Sequence, residues 1–155
     1  MSRDLDEVLA ALDPSALHPN DAVKLLDRFN AIERRAAAGR ALVADRAASS
    51  SDWTRSGHRS PEEWLAAKTG TSYGQAKDLL ETSAKLEQLP AVQDAVRAGQ
   101  LSASQLTTIG PAATPTNETR LLKAAAEEAF GGLKRTCTRE KAATRSAEDQ
   151  AKRHE

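Results

Sequence analysis

Four residues, Thr69-Gly70-Thr71-Ser72, interrupt a helical pattern that resumes directly after them. The pattern before the break is the run WLAAK, and the pattern after it is YGQAKDLLE. A connection this short forces the two helices to meet at a sharp angle. Gly70 suits such a turn because glycine can adopt the left-handed backbone conformation that ends a helix. The stretch therefore predicts a tight two-helix corner, which packs a core in many proteins and presents a helix to DNA in some.

The rest of the chain also favours helices over strands. Aromatic residues make up only 3% of the 155 residues, and the hydrophobic residues are mostly Leu, Ala, Val and Ile. Sequences of this kind suit helices better than sheets. We therefore predict an all-α fold: a multi-helix bundle with a helix-turn-helix-like core, a long N-terminal helix and a basic C-terminal helical tail.

The spacing of apolar residues and helix breakers divides the chain into three regions. Residues 1–19 are predicted to form a short helix and a connector, and residues 20–132 a helical domain with its helix-turn-helix-like core at about 60–110. Residues 133–155 are predicted to form a basic helical tail that frays. In the first region apolar residues recur at helical spacing until Asp13-Pro14: Leu5, Val8, Leu9 and Leu12.

The longest predicted helix runs from Asp21 to about Ala48, with Asn20 as a candidate N-cap. One apolar stripe follows its helical spacing, widened by three neighbouring residues: Leu25, Phe29, Ile32, Ala36 and Val43, with Val23, Leu26 and Leu42. This helix is longer than the average in globular proteins. It is either a spine of the core or the seam of a homodimer through helix 21–48.

Capping residues, glycines and prolines mark the remaining helices. Ser60-Pro61-Glu62-Glu63 combines an N-cap, a first-position proline and the third-position glutamate of a capping box. Thr71 or Ser72 caps the second helix of the corner. Later helices are expected from about Ala91 to Ala98, closing at Gly99; from Ser102 onward; and from Thr116 or Asn117 through Phe130, ending at Gly131-Gly132. We expect GPAATPTNE to be a loop and ASSSDWTRSG a polar linker whose Trp53 packs against the body.

The net charge is zero, with 22 basic and 22 acidic residues, but the charge is unevenly distributed. The tail carries seven basic residues against three acidic ones: Lys134, Arg135, Arg139, Lys141, Arg145, Lys152 and Arg153 against Glu140, Glu148 and Asp149. Such a tail permits weak contact with nucleic acid, and it is equally compatible with a solvated helix surface.

The corner also meets the requirements of a DNA-reading helix-turn-helix. Ala66 is the small residue at which the helices touch, and Gly70 makes the turn. Leu65, Ala76 and Leu79 supply the apolar contact between the helices, although Thr69 and Thr71 replace the apolar residues often found beside the glycine. The candidate DNA-binding residues lie at the starts of this helix and of a later one: Ser72, Tyr73, Gln75, Lys77, Ser102, Ser104 and Gln105.

Simple packing is the alternative explanation of the corner. Asp78 and Glu81 share the second helix with Lys77 and would repel phosphates, which leaves that helix near neutral. Tyr73 either contacts DNA or packs against the first helix as a staple. Any tight helical corner satisfies part of the same pattern.

A resemblance to a known family favours DNA contact. The run WLAAKTGTSYGQAKDLLETSAKLEQLPAVQDAVRAGQLSASQLTTI resembles the bacterial domain of unknown function 222, over roughly residues 20–150. Its most specific part is the pairing of TGTSYGQAKDLL with LPAVQDAVRAGQLSASQ. The family is found N-terminal to HNH endonuclease domains in actinobacterial proteins. More distantly, the same pairing is similar to the helix-turn-helix of ParB-type partition proteins.

The resemblance implies a neighbouring nuclease, but the sequence lacks nuclease residues. His18, His58 and His154 are not paired with another His or a Cys at ligand spacing, and Cys137 stands alone. We therefore expect no catalytic residues, no metal site, no cofactor and no disulfide. We also expect a cytoplasmic protein without membrane contact, because no run approaches the length of a membrane span and no signal peptide is present.

Two hypotheses follow. The first is a non-catalytic DNA-binding module that positions a nuclease domain or nuclease partner. The second is a helical protein-interaction or dimerisation domain with no DNA contact.

Overall fold

The computed structural model describes residues 2–154, with side chains from Asp4 onward, so the predicted regions 1–19 and 133–155 each include one residue outside it. Within the described range the regular structure is helical and contains no strand. The helices are α1 (Ser2–Ala11), α2 (Pro19–Ala48), α3 (Asp52–Arg55), α4 (Pro61–Thr69), α5 (Tyr73–Lys85), α6 (Pro90–Arg97), α7 (Ala103–Ala112), α8 (Glu118–Glu127) and α9 (Phe130–His154). Short 3-10 turns cover Pro14–Ala16 and Leu86–Gln88. The predicted all-α fold is confirmed.

The chain divides into two compact units, Met1–Ile32 and Glu33–Glu155. We call the described side chains of the first, residues 4–32, the N-terminal hairpin, and residues 33–154 the body. Helix α2 contributes its first part to the hairpin and its second part to the body. This division falls inside the long helix, at a different place from the predicted boundary after residue 19.

The body is built around α7, which packs against α5 on one side and against α9 on another. Its core consists mainly of Leu, Val and Ala side chains, and the largest that are fully buried are Leu89, Leu106, Ile109, Leu121, Leu133, Val92, Val96 and Thr82. Helices α5 and α7 approach each other closely where Thr82 meets Gly110. A Cβ on Gly110 would lie 2.5 Å from Thr82 Cβ, so only glycine fits there.

In the body, the apolar stripe predicted for the long helix is confirmed at Leu42, which packs partly buried against the core, and wrong at Ala36 and Val43, which are exposed. The buried side chains of α2 are Ala37, Ala38, Ala41 and Ala44, whereas Val43 is 58% exposed. By helical periodicity these alanines lie on a different side of the helix from Ala36 and Val43. Side-chain size favours the predicted stripe, but the small alanines let neighbouring helices approach closely.

Three predicted boundaries also differ. The expected loop from Gly110 begins later, because α7 continues through Gly110 and Pro111 to Ala112. The predicted helix end at Gly131-Gly132 is wrong: α8 stops at Glu127, Glu128 takes an extended backbone, and both glycines lie in the first turn of α9. The predicted polar linker contains the short α3, whose Trp53 packs against the core as expected.

The capping predictions are confirmed at α4 and α6 and wrong at the start of α2. Ser60 caps α4 by accepting a hydrogen bond from the Glu63 backbone N–H, and Gly99 closes α6 with a φ of 67°. At the start of α2, the cap is His18 and not Asn20, because His18 Nδ1 accepts a hydrogen bond of 3.1 Å from the Asn20 backbone N–H.

The basic tail is helical through His154, and its first turns belong to the core. Leu133 and Cys137 are buried. One helical step further, Glu140 accepts hydrogen bonds from the buried Asn117 of the α7–α8 connection and from Arg120 of α8. Beyond Thr144, every described side chain of α9 is exposed.

Candidate nucleic-acid interface

The corner between α4 and α5 is closed by a left-handed glycine and two threonines. Gly70 has a φ of 68°, and its backbone N–H donates to the Ala66 carbonyl. The hydroxyls of Thr69 and Thr71 lie 2.8 Å apart across the turn, and the Thr69 hydroxyl also bonds the Leu65 carbonyl at 2.7 Å. The two threonine hydroxyls therefore hydrogen-bond each other, and Thr69 also bonds a carbonyl near the end of α4. These bonds explain why polar residues stand beside the glycine.

The N-terminus of α5 is held by a reciprocal capping box. Ser72 Oγ accepts a hydrogen bond of 3.1 Å from the Gln75 N–H, and Gln75 Oε1 accepts one of 3.2 Å from the Ser72 N–H. Both predicted DNA-binding residues thus have a structural role first. The Gln75 amide nitrogen is not used by the box, so its two protons remain available as donors.

The N-terminus of α7 repeats this arrangement. Ser102 Oγ accepts a hydrogen bond of 3.1 Å from the Gln105 N–H, and Gln105 Oε1 accepts one of 3.0 Å from the Ser102 N–H. Here the Gln105 amide nitrogen also donates to the Ala125 carbonyl of α8, at 3.2 Å. Both the oxygen and the nitrogen of the Gln105 side-chain amide therefore form hydrogen bonds within the fold. The neighbouring Ser104 is exposed.

A groove runs between α5 and α9, with α7 as its floor. We call it the α5–α9 groove. Its first section, of about 340 Å³, is lined by Gln75, Asp78, Ser104, Thr107, Thr108, Phe130, Lys134, Cys137, Thr138 and Lys141. Its second section, of about 750 Å³, continues along Lys77, Glu81 and Lys85 on α5 and along Arg145 and Glu148 on α9. The two sections share Asp78 and Lys141.

A smaller depression of about 90 Å³ lies beside the first section. It is lined by Ala37, Arg40, Thr71, Gln75, Leu79, Ala103, Ser104, Leu106 and Thr107. Gln75, Ser104 and Thr107 line both cavities, so they form the ridge between them. Arg40 of α2 stands at one side of this ridge, and Lys134 and Lys141 of α9 stand at the other.

The structure brings together some of the predicted site residues and separates others. Gln75 and Ser104, from two different helices, meet on the ridge. Tyr73 is 56% exposed at the start of α5. Lys77 lines the second section of the groove. Ser72, Ser102 and Gln105 serve as helix caps.

Burial and neighbouring charges shift the pKa values of two groups in the groove, Asp78 and Lys85. Desolvation raises the pKa of Asp78, Glu81 adds to the rise, and Lys141 and Lys77 oppose it. Burial lowers the pKa of Lys85, whose ammonium donates to the carbonyls of Gly110 and Pro111 at 2.9 and 3.3 Å. Lys85 thus stabilises the C-terminal end of α7.

Two features of this surface were not predicted from the sequence: the place of Arg40 beside the ridge and the position of α9 as a wall of the groove. Lys134, Thr138, Lys141 and Arg145 recur at three- and four-residue intervals, which places them on one side of a helix. That signal was available, but a predicted helix end at Gly131-Gly132 separated these residues from the body. For Arg40 the sequence holds no signal, because its place on the ridge depends on how α2 packs.

Three further observations concern metal binding, the single cysteine and the membrane. Among the residues that the structure describes, no group of three or more His, Cys, Asp and Glu side chains is arranged to hold a metal ion. Burial raises the pKa of the Cys137 thiol to about 11. Along residues 2–154, none of the helices combines the length and the apolar character that crossing a bilayer requires.

Comparisons with known proteins point to one family. No curated protein and no solved structure matches the chain. A family profile does match, over residues 23–152, which is most of the chain and agrees with the span of the resemblance. The chain therefore belongs to the family described as domain of unknown function (DUF222).

Proposed function

We propose that the chain is a non-catalytic DNA-binding module that works beside a nuclease domain or nuclease partner. The observation that carries the proposal is the ridge between α5 and α7. There, Gln75 and Ser104, both predicted from the sequence as DNA-binding residues, meet between the basic side chains of Arg40 on one side and of Lys134 and Lys141 on the other.

The chemistry of the ridge suits a polar, anionic partner. Short polar side chains at a helix start can approach base edges and phosphates, and flanking Lys and Arg neutralise phosphates. The corner of α4 and α5 supports presentation of α5 in the manner of a helix-turn-helix. Tyr73 and Phe130, 56% and 45% exposed, add aromatic surface that can stack on bases.

The acidic residues of the groove limit the expected affinity. The groove carries Lys77, Lys85, Lys134, Lys141 and Arg145 against Asp78, Glu81 and Glu148. Two carboxylates on α5 oppose phosphates along that wall, so the more basic α9 wall supplies most of the electrostatic attraction. We expect weak to moderate binding that decreases with salt.

A gel-shift titration with a random duplex, at about 50 and 200 mM salt, tests the proposal. The double variant Lys134→Ala/Lys141→Ala should reduce the salt slope by about one per lost phosphate contact. Gln75→Glu keeps the capping box, because glutamate serves at that position, but places a negative charge on the ridge. It should weaken binding without lowering the melting temperature.

Lys123→Ala is the matched control, since Lys123 is an exposed basic residue of α8 that lines neither the groove nor the depression. It should bind DNA like the wild type. Added magnesium or manganese should leave the duplex uncut. Absence of a shift at the lower salt, or equal binding by all variants, would contradict the proposal.

A second candidate function is a helical interaction domain without DNA contact. It is favoured by the exposed apolar residues of α2, among which Val23, Leu26 and Val43 are each more than half exposed. A protein that binds no DNA but associates through this helix would support it.

A further inference from the structure

The α9 wall of the α5–α9 groove presents an aromatic ring followed by a row of cations. The side chains that line it in this order are Phe130, Lys134, Lys141 and Arg145. Intervals of four, seven and four residues place them on one side of the helix. Phe130 is 45% exposed. Over a length of about 22 Å, this wall therefore offers a stacking surface at one end and positive charge along the rest.

The α5 wall differs, because it offers mainly oxygen acceptors. Asp78 and Glu81 line the groove together with Lys77. The ammonium of Lys85 is already held by carbonyls at the C-terminal end of α7. Carboxylate oxygens accept hydrogen bonds but repel phosphates. The α5 wall is therefore suited to groups that donate hydrogen bonds, and the α9 wall to anions.

The charges of the two walls face each other without forming ion pairs. Along residues 4–154, the one ion pair joins Arg120 to Glu140, and neither residue lines the groove. Lys141 still opposes the rise in the pKa of Asp78, so its positive charge acts across the open space. A ligand in the groove therefore meets cations on one side and carboxylates on the other.

We propose that this groove binds single-stranded DNA, with the phosphates along α9 and the bases turned towards α5. The proposal rests on the proposed function of DNA binding and names the form of DNA. A single strand has one phosphate backbone, which the three cations of the α9 wall can neutralise. Its unpaired bases can stack on Phe130, and their amino groups can donate hydrogen bonds to Asp78 and Glu81.

A duplex fits these walls less well. Its major groove is bounded by two phosphate backbones, so α5 inserted there would hold Asp78 and Glu81 close to phosphates. The bases of a duplex are also paired and stacked on each other, which keeps them from Phe130 and occupies their pairing edges. At 3.4 Å per nucleotide, the length of about 22 Å accommodates about six nucleotides of a stacked strand.

Fluorescence anisotropy tests the preference. The probes are a labelled single strand of about 12 nucleotides of mixed sequence and the duplex of the same sequence, at about 50 mM salt. The wild type should bind the single strand at least about tenfold more tightly than the duplex.

Phe130→Leu removes the ring but keeps an apolar side chain. It should weaken binding of the single strand by at least about fivefold, and binding of the duplex by less, because stacking on an aromatic ring needs an unstacked base. Phe29→Leu makes the same change in the N-terminal hairpin, away from the α5–α9 groove, and should bind like the wild type. Circular dichroism should show a wild-type melting temperature for Phe130→Leu, because the side chain is exposed.

The double variant Asp78→Asn/Glu81→Gln tests the role of the carboxylates. It should tighten binding of the duplex, because the charges that repel its phosphates are gone, and lower the preference for the single strand by at least about threefold. Asp94→Asn/Glu127→Gln makes the same change in net charge at exposed positions outside the groove. This control should keep the wild-type preference.

The outcomes separate this inference from the proposed function. Duplex binding as tight as that of the single strand would overturn the inference and leave DNA binding standing, whereas no binding of either form would overturn both. Tighter binding of a single-stranded RNA of the same sequence would overturn the assignment to DNA. An unchanged preference in Asp78→Asn/Glu81→Gln would overturn the role of the two carboxylates.

Discussion

The N-terminal hairpin and the body use the same helix, α2, in opposite ways. In the hairpin, α2 carries Val23, Leu25, Leu26, Phe29 and Ile32, and none of them is buried. In the body, the same helix buries four alanines. The contrast shows that burial along a helix follows the elements packed against it and not the size of its own apolar residues.

Close approach is the reason that small residues suit the body. The extreme case is the crossing of α5 and α7, where Thr82 occupies the space that a Gly110 side chain would need. Thr82 is fully buried, and its hydroxyl bonds the Asp78 carbonyl at 2.7 Å within α5. Such a crossing leaves no space for an added methyl group, because protein interiors are packed as densely as organic crystals. The hairpin, by contrast, has no buried side chain among residues 4–32.

The largest expected effect is at this crossing. Gly110→Ala should destabilise the protein by about 3 kcal/mol or more, because the new methyl group overlaps a stiff, β-branched side chain and the helices must move apart. Thermal unfolding should show a melting temperature lower by about 10 °C.

Gly39→Ala is the matched control for this change. Gly39 lies in α2, exposed, with nothing within 4 Å of an added Cβ, so the same substitution should stabilise the protein by up to about 1 kcal/mol. Equal effects at the two glycines would show that the α5–α7 crossing is not tightly packed.

Replacing one leucine by alanine in each region should give the next largest difference in stability. Leu121→Ala in the body should cost about 2–5 kcal/mol, because Leu121 is fully buried and leaves a cavity. Leu26→Ala in the hairpin should change the stability by no more than about 0.5 kcal/mol. Chemical denaturation at one fixed protein concentration measures both. A similar loss of stability in Leu26→Ala would mean that another part of the chain packs against Leu26.

The smallest effect concerns pH in the groove. Because the pKa of Asp78 is raised above its ordinary value of 3.8, the folded state favours the protonated carboxyl. The associated stability is present at low pH and is lost as the pH rises through the folded-state pKa. Asp78→Asn should therefore be slightly more stable than the wild type at neutral pH, by less than about 0.5 kcal/mol.

That advantage should disappear below about pH 3.8, where the wild-type carboxyl is also protonated. Melting curves at several pH values provide the measurement. Asp94→Asn removes a carboxylate from an exposed position on α6 and controls for the change in net charge. A stabilisation by Asp78→Asn that persisted in acid would contradict the desolvation argument.

Local features of the candidate site were predictable from sequence. The capping spacing at Ser60, the left-handed turn at Gly70 and the helix starts at Ser72 and Ser102 all follow from side chains that act within a few residues. Because such interactions do not depend on the rest of the fold, the sequence specifies them directly.

Features that depend on distant neighbours were not predictable. Asn117 and Glu118 illustrate this, because one binds Glu140 of α9 and the other accepts a hydrogen bond from the Val92 N–H at the start of α6. Glu118 thereby caps a helix that begins 28 positions earlier in the chain, at Pro90. No local rule links these residues.

The sequence by itself determined the helical class, the corner at Gly70 and the capped starts of α5 and α7, because propensity and capping act over one helical turn. The tertiary structure alone decided which side of α2 is buried, that α9 forms a wall of the groove, and that Gln75, Ser104 and Arg40 share one surface. The physical reason is that a helix fixes the spacing of its side chains, while only its packing partners decide which of them remain accessible.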